Sequence, residues 1–291
     1  MSDSILKQKP ELDGESESPS PEFSEGVLQA LERAELFLPF ATEVSSVPPE
    51  SRLVAHTDPR SAGADRFRLV QLRLKSLQAL KHLKFLLITS PLPGDGKTTV
   101  SVNLATGLAE KGKRPVLLLE ADVYRPTLLK KLGLKQWPGL TEAFKFGTDP
   151  MQAIRRIEPL GFYLLPAGQP LEDGGTPLHS SFISTFIKGL STSPFGWILI
   201  DAPPTTPVAE ILILRSLADA TLLVARAGVT PREIIEESVQ HLGRDHIAGL
   251  VLNGVEGVER TYSKYYGYTR SETSGQRAKT LQALSIVKPA K

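Results

Sequence analysis

The stretch Ser90-Pro91-Leu92-Pro93-Gly94-Asp95-Gly96-Lys97-Thr98-Thr99 narrows what this chain can fold into more than any other. It follows an apolar run, Leu83–Ile88, and opens a stretch of helical character, Thr98–Lys111. A strand, a tight glycine turn and a helix start in that order make a phosphate cradle. Backbone N–H groups and the positive end of the helix dipole face an anion, and Lys97 adds a full charge. Thr98 stands where a P-loop hydroxyl reaches Mg²⁺. The strict pattern G-x-x-x-x-G-K-[ST] breaks at one point, where Pro91 replaces the first glycine. An ordinary strand–turn–helix junction with a solvated lysine is the competing reading, and the strand-to-helix context speaks against it.

The rest of the chain supplies a frame for such a loop. Ala64–Leu80 reads as a helix, Leu83–Thr89 as the first buried strand, and Val102–Lys111 as the continuation of the helix after the loop. Pro115–Leu119, Phe162–Leu165, Trp197–Ile200, Ala220–Ala225 and Ala248–Leu252 are further strand-like runs, with helical candidates such as Phe182–Leu190 and Pro231–Leu242 between them. Short apolar strands alternating with helices predict an α/β fold, a mostly parallel sheet flanked by helices in three layers. Ligands of such sheets bind beyond the carboxyl ends of the strands. That rule brings together the loops after Ile88, Leu119 and Ile200.

Two of those loops begin with carboxylates. Val116–Leu119 runs into Glu120-Ala121-Asp122, and Trp197–Ile200 ends at Asp201, followed by Ala202-Pro203-Pro204. A carboxylate at the end of a buried strand is costly unless it meets a cation or water. Mg²⁺ beside a nucleotide is such a partner and takes one or two carboxylates. Asp201 fits a Walker-B role. Asp122 either contacts the metal or shares with Glu120 the work of accepting a nucleophile's proton. Helix capping is the competing reading for Asp122 and Asp201.

Composition sets the outer bounds. Residues 1–57 read as an arm, Ser-, Glu- and Pro-rich over its first 24 positions, then a short amphipathic helix over Phe23–Leu38 and a linker, Pro39–Arg60. Residues 58–258 form the predicted main domain, and 259–291 a flexible basic tail. The charges nearly cancel, 34 Lys and Arg against 32 Asp and Glu, so no nucleic-acid partner is expected. With no cysteine, disulfides and thiolate metal sites are excluded. His241 and His246 lack the spacing of a helical zinc site and read as structural or exposed. No apolar run approaches a membrane span and the start is not a secretory signal, so a cytoplasmic protein is expected.

Together, PGDGKTT, LLLEADVYRP, WILIDAPP and a terminal tyrosine cluster resemble the bacterial tyrosine kinases of exopolysaccharide and capsule synthesis. The resemblance covers roughly Asp58 to Tyr268 and implies the P-loop NTPase fold, with ATP and Mg²⁺ as cofactors. It implies that Pro93, Gly94, Asp95, Gly96, Lys97, Thr98 and Thr99 hold the ATP phosphates, that Thr98, Asp122 and Asp201 serve the metal, and that Lys97 is catalytic with the acids. The first acid of the second motif is usually Asp and is proposed to activate the tyrosine hydroxyl; here it is Glu120. Asn253 ends the last strand, where relatives place an adenine contact, and a plain turn asparagine is its alternative. Relatives also carry an E-x-x-R-x-x-R helix that links subunits into rings. This chain has Asp65, Arg68 and Gln71 in that register, so the homo-oligomer motif is incomplete.

Four of the six tyrosines, Tyr262, Tyr265, Tyr266 and Tyr268, fall within seven residues of one another among Ser, Lys, Gly, Thr and Arg. Exposed tyrosines without apolar neighbours suit phosphoacceptors that enter another subunit's active site; a partner-binding tail is the alternative. From Glu259 to Lys291 there are seven basic and two acidic side chains. Four phosphates would add roughly −6 to −8 and invert that charge. The residues together with the resemblance predict an ATP-dependent tyrosine autokinase, and the resemblance implies activation by a membrane-embedded polysaccharide chain-length regulator. The alternative is a non-kinase P-loop ATPase switch or nucleotide-binding scaffold of the partitioning type. Against it, Ser90-Pro91-Leu92-Pro93 lacks the second lysine of those ATPases, and Ala278–Val287 is a weak candidate for their amphipathic membrane helix.

Overall fold

The computed structural model describes residues 40–171, 181–206, 210–255 and 283–287. The chain divides into two units, Met1–Leu38 and Pro39–Lys291. The first lies outside the described residues, and with it the helix expected over Phe23–Leu38. The strands of the second are β1 (Ala41–Val44), β2 (Phe85–Thr89), β3 (Val116–Glu120), β4 (Arg155–Glu158), β5 (Phe162–Leu165), β6 (Trp197–Asp201), β7 (Ala220–Arg226), β8 (Ile247–Val255) and β9 (Ala283–Val287). Its helices are α1 (Val54–Thr57), α2 (Ala62–Lys81), α3 (Lys97–Leu108), α4 (Leu128–Lys131), α5 (Leu140–Phe146), α6 (Ser181–Gly189), α7 (Glu210–Leu217) and α8 (Arg232–Leu242).

The strands form one sheet in the order β1-β4-β5-β3-β6-β2-β7-β8-β9. Every pair is parallel except β4–β5 and β8–β9. β2, β3 and β6 are buried at every position, as strands covered on both faces must be. Their two-residue period divides them between layers. Leu86 and Ile88 of β2, Leu118 of β3 and Leu199 of β6 cluster with Phe67, Val70 and Leu74 of α2 and Val100, Leu104 and Leu108 of α3. Leu87 turns to the opposite face, where α7 packs on β2. The three-layer α/β fold read from the sequence is the fold observed.

The strand order positions the site. β6 lies between β2 and β3, so their carboxyl ends meet: Asp201 is opposite Ile88 on one side and Glu120 on the other. The expected continuation of the P-loop helix to Lys111 stops short, because Glu110 and Lys111 take left-handed φ values of 49° and 60°.

Three strands escape the sequence pattern. β1 lies inside the stretch read as a linker, and β1 and β4 are polar strands, joined by the Arg155–Glu43 ion pair. Arg156 Nε also meets Glu158 Oε1 at 2.8 Å along β4. β9 corrects a second expectation. Ala283–Val287, within the stretch read as a weak amphipathic helix in a flexible tail, is a strand antiparallel to β8, with Ala283 opposite Val255. A five-residue apolar run is too short to tell helix from strand, and the edge of β8 offers it backbone partners. The four tyrosines lie outside the described residues. His246 is structural, sharing hydrogen bonds with Thr221 Oγ1 at 3.0 Å and the Ala218 carbonyl at 2.9 Å.

On α2, Arg68 pairs with Asp65 one turn back. Gln71 lies across α3, where a Cβ added to Gly107 would meet its Nε2 at 1.7 Å. Helical Gly→Ala ordinarily gains about 1 kcal/mol. Gly107→Ala is expected to forfeit that gain in the native background and recover it when combined with Gln71→Ala. Urea unfolding of the four proteins should show a coupling of about 1 kcal/mol.

Candidate functional site

The turn between β2 and α3 is built from side chains as much as backbone. Gly96 caps α3 at a φ of 98°, a left-handed value that a residue with Cβ adopts only under strain. Its Cβ would also meet Asn253 Nδ2 at 2.0 Å. Asn253 is buried at the end of β8 and donates from Nδ2 to the Asp95 carbonyl at 2.9 Å. Asp95, also buried, accepts the Leu92 N–H at 3.0 Å through Oδ2 and the Thr230 hydroxyl at 2.7 Å through Oδ1. Pro91 at the first glycine position is thus accommodated in a loop braced from β8 and from the turn after β7.

Lys97, the first residue of α3, reaches Asp122 Oδ2 at 2.9 Å. Both side chains are nearly buried, 12% and 10% exposed. Asp201 sits behind them at the end of β6, its Oδ1 accepting the Ser101 hydroxyl at 2.9 Å. The Thr98 hydroxyl also favours its charged form. A cavity of about 630 Å³ opens over this group. Its wall includes Pro93, Gly94, Gly96, Lys97, Thr98 and Thr99 of the loop, Asp122, Tyr124, Arg125 and Thr127 after β3, and Pro203, Pro204 and Thr206 after β6.

The charges in this cluster act on one another. Burial alone would pull the Lys97 ammonium down, but Asp201, Asp122 and Glu120 outweigh it and hold its pKa above the ordinary value. Burial raises Asp201, against the pull of Lys97 and the two hydroxyls. Burial also raises Asp95, opposed by Thr230 and the Leu92 N–H. Glu120 is pushed up to about 7 by burial, although three backbone N–H groups favour its charged form.

Of the residues marked from the sequence, the structure gathers Pro93, Gly94, Gly96, Lys97, Thr98, Thr99 and Asp122 around one cavity, and Asp201, buried and outside its lining, acts on Lys97 through its charge. Three stand elsewhere. Asp95 and Asn253 face the inside of the loop and brace it, and neither lines the cavity. Glu120 is 1% exposed and accepts the Thr127, Leu128 and Ala167 N–H groups at 2.6, 2.8 and 3.1 Å. It does not line the cavity either. Glu120, expected as a proton acceptor, is here engaged by three backbone N–H groups.

Sequence reasoning missed Ser101, Thr230, Tyr124 and Arg125. Ser101 is one helical turn after Lys97, a spacing that would have flagged it. Thr230 comes from a loop distant in sequence and left no signal. Tyr124 donates to Glu210 Oε1 at 3.1 Å and lines the cavity.

A phosphate-cradling turn, a lysine and two strand-end carboxylates on a parallel sheet define the class. The model of the ParA family, described as NUBPL iron-transfer P-loop NTPase, matches residues 81–253, more than half of the chain, and the chain belongs to this family of P-loop NTPases. Having no cysteine, it offers no thiolate to an iron–sulfur cluster. Within the family its relatives include proteins named as bacterial tyrosine kinases. It is 27% identical over 220 residues to tyrosine-protein kinase YwqD of Bacillus subtilis, covering 75% of this chain and 92% of that one. It is 27% identical over 235 residues to the succinoglycan biosynthesis transport protein ExoP of Rhizobium meliloti, covering 74% of this chain and 30% of that one. The chain thus spans nearly all of one relative and under a third of the other. The kinase domain of Escherichia coli tyrosine kinase ETK superposes with a TM-score of 0.64 at 23% identity, over 77% of this chain and 84% of that one, which shows a shared fold.

Glu120 gives the site a measurable pH dependence. Its folded pKa, about 7, lies above its ordinary 4.5. Between those values the native state binds more protons than the unfolded chain, so stability from this group is fully present below the window and lost as pH rises through it. The native protein should lose stability relative to Glu120→Gln from about pH 5 to about pH 8. Urea unfolding across that range measures it; a constant difference would show ordinary titration of Glu120.

Proposed function

We propose that the chain is an ATP-dependent protein-tyrosine kinase of exopolysaccharide or capsule synthesis that phosphorylates its own C-terminal tyrosines in another copy. The observation that carries this reading is the Lys97–Asp122 pair in the wall of a cavity framed by the P-loop, in a chain whose relatives are named tyrosine kinases.

In this reading the backbone of Gly94, Gly96, Thr98 and Thr99 and the Lys97 ammonium hold the ATP phosphates. Phosphates entering the cavity compete with Asp122 for Lys97 and release the carboxylate. Asp122 is the single carboxylate among the described lining residues. In this reading it takes the phenol proton as the new oxygen–phosphorus bond forms, the bond to the leaving ADP oxygen breaking at the same phosphorus. The residues also fit Mg²⁺. Among the described residues no three acidic or His side chains converge as a metal cage, so Thr98 and Asp201 would supply two ligands and the nucleotide and water the rest. Mg²⁺ bound there would neutralise charge on the transferring phosphoryl group.

Tyr262, Tyr265, Tyr266 and Tyr268 are the proposed acceptors. β8 runs parallel to β7 and β2, so it ends at the P-loop edge of the sheet, and β9 starts opposite that end. The chain between Val255 and Ala283 therefore leaves and returns beside the cavity. Tyr262 is seven residues beyond Val255, a reach of about 23 Å when extended. Among the described residues no helix is long and apolar enough to cross a membrane. Action in the cytoplasm, at the inner face of the membrane through a membrane-embedded chain-length regulator, completes the proposal. The partitioning-type switch is less well supported, because the loop has no second lysine before Gly94.

Intact mass after incubation with ATP and Mg²⁺ tests this, alone and with the partner's cytoplasmic segment. Added phosphate on the 262–268 segment is expected, falling at least ~10²-fold in rate in Lys97→Met. Substituting all four tyrosines by Phe should leave ATP binding intact and abolish the mass shift. ATP binding without phosphotyrosine under either condition would favour the switch or scaffold.

A further inference from the structure

Glu120 ends β3 with its carboxylate turned away from the cavity. Oε1 accepts Thr127 N–H at 2.6 Å and Leu128 N–H at 2.8 Å; Oε2 accepts Ala167 N–H at 3.1 Å. Between Glu120 and Thr127 runs the loop that brings Asp122, Tyr124 and Arg125 to the cavity wall. One end of this loop is the strand itself; the carboxylate ties the other end, the start of α4, back onto that strand. Its second oxygen joins the same point to the loop after β5. Two further bonds shape the interior, Arg125 N–H to Asp122 Oδ1 at 3.2 Å and Leu171 N–H to the Val123 carbonyl at 3.0 Å.

We propose that Glu120 is a positioning residue, a clamp that sets Asp122 and Arg125 against the bound nucleotide, and that it takes no proton from the acceptor. The length of glutamate is what the clamp requires. An aspartate is one methylene shorter and cannot span from β3 to α4 and Ala167 together, whereas a glutamine keeps the span and one carbonyl oxygen for Thr127 and Leu128. This inference rests on the ATP-kinase reading, because that reading gives the clamped loop its ligand.

The two roles predict opposite orders of damage. A clamp makes Glu120→Gln milder than Glu120→Asp, with nucleotide affinity and phosphotransfer falling together, by about tenfold in Glu120→Asp. A proton acceptor makes Glu120→Asp milder, with affinity unchanged and Glu120→Gln nearly dead. Affinity for a fluorescent ATP analogue and initial rates of tail phosphorylation separate them. Hydrogen exchange on the unsubstituted, nucleotide-free protein adds a readout that needs no variant. The Thr127, Leu128 and Ala167 amides should be protected, and exchange at the rate of open chain would overturn the clamp. Binding of the analogue by the unsubstituted protein tests the ATP reading separately. If it binds and the order of variants is inverted, the clamp alone fails.

Discussion

Everything at the carboxyl edge of the sheet is arranged around one nearly buried ammonium. Lys97 stands where β2, β3 and β6 end together, and its partners come from the other two strands' ends. Burying a lysine would cost several kcal/mol if it were alone. Asp122 offsets that cost directly, and Asp201 holds it from behind. The strand order is what makes this possible, because β6 lies between β2 and β3 and brings Asp201 level with both. The cluster is not neutral. Two carboxylates face one ammonium, and burial holds Asp201 above its ordinary pKa against the pull of Lys97 and the Ser101 hydroxyl.

The turn that carries Lys97 departs from the strict P-loop pattern and keeps its shape by other means. Where the first glycine would give the backbone freedom, this chain has Pro91, which fixes it. The loop is then fastened from inside: Asp95 to Thr230, Asp95's carbonyl to Asn253, and Ser90 Oγ to the Leu92 carbonyl at 2.9 Å. Two residues that a motif would assign to the nucleotide thus serve the loop.

The sequence made the buried strands, the P-loop and the carboxylates legible for one reason: each has a local signature. Continuous apolar runs announce strands covered on both faces, and the glycine–lysine spacing announces the turn. What stayed illegible depends on contacts far along the chain. β1 and β4 are polar and short, and only the edge of the sheet turns them into strands. β9 looks equally like a helix until the rim of β8 is known to be open. The identity of Glu120 was plain, yet its direction was not, because that is settled by where the start of α4 and the loop after β5 offer N–H groups.

The sheet's far edge bears on how the tyrosine segment relates to the site. A tail free at one end searches a volume that grows with its length, and its effective concentration at any one site falls accordingly. Here the chain returns to the sheet at β9, so the residues between Val255 and Ala283 are held at both ends beside the P-loop edge. Closing a loop of that length costs little more than closing a shorter one, because the entropy grows only with the logarithm of length. Retention at the edge is therefore cheap, and the strand that provides it lies beyond the tyrosines. The stretch read as a flexible basic tail thus contains a strand that rejoins the sheet antiparallel to β8, at the edge where β8 ends.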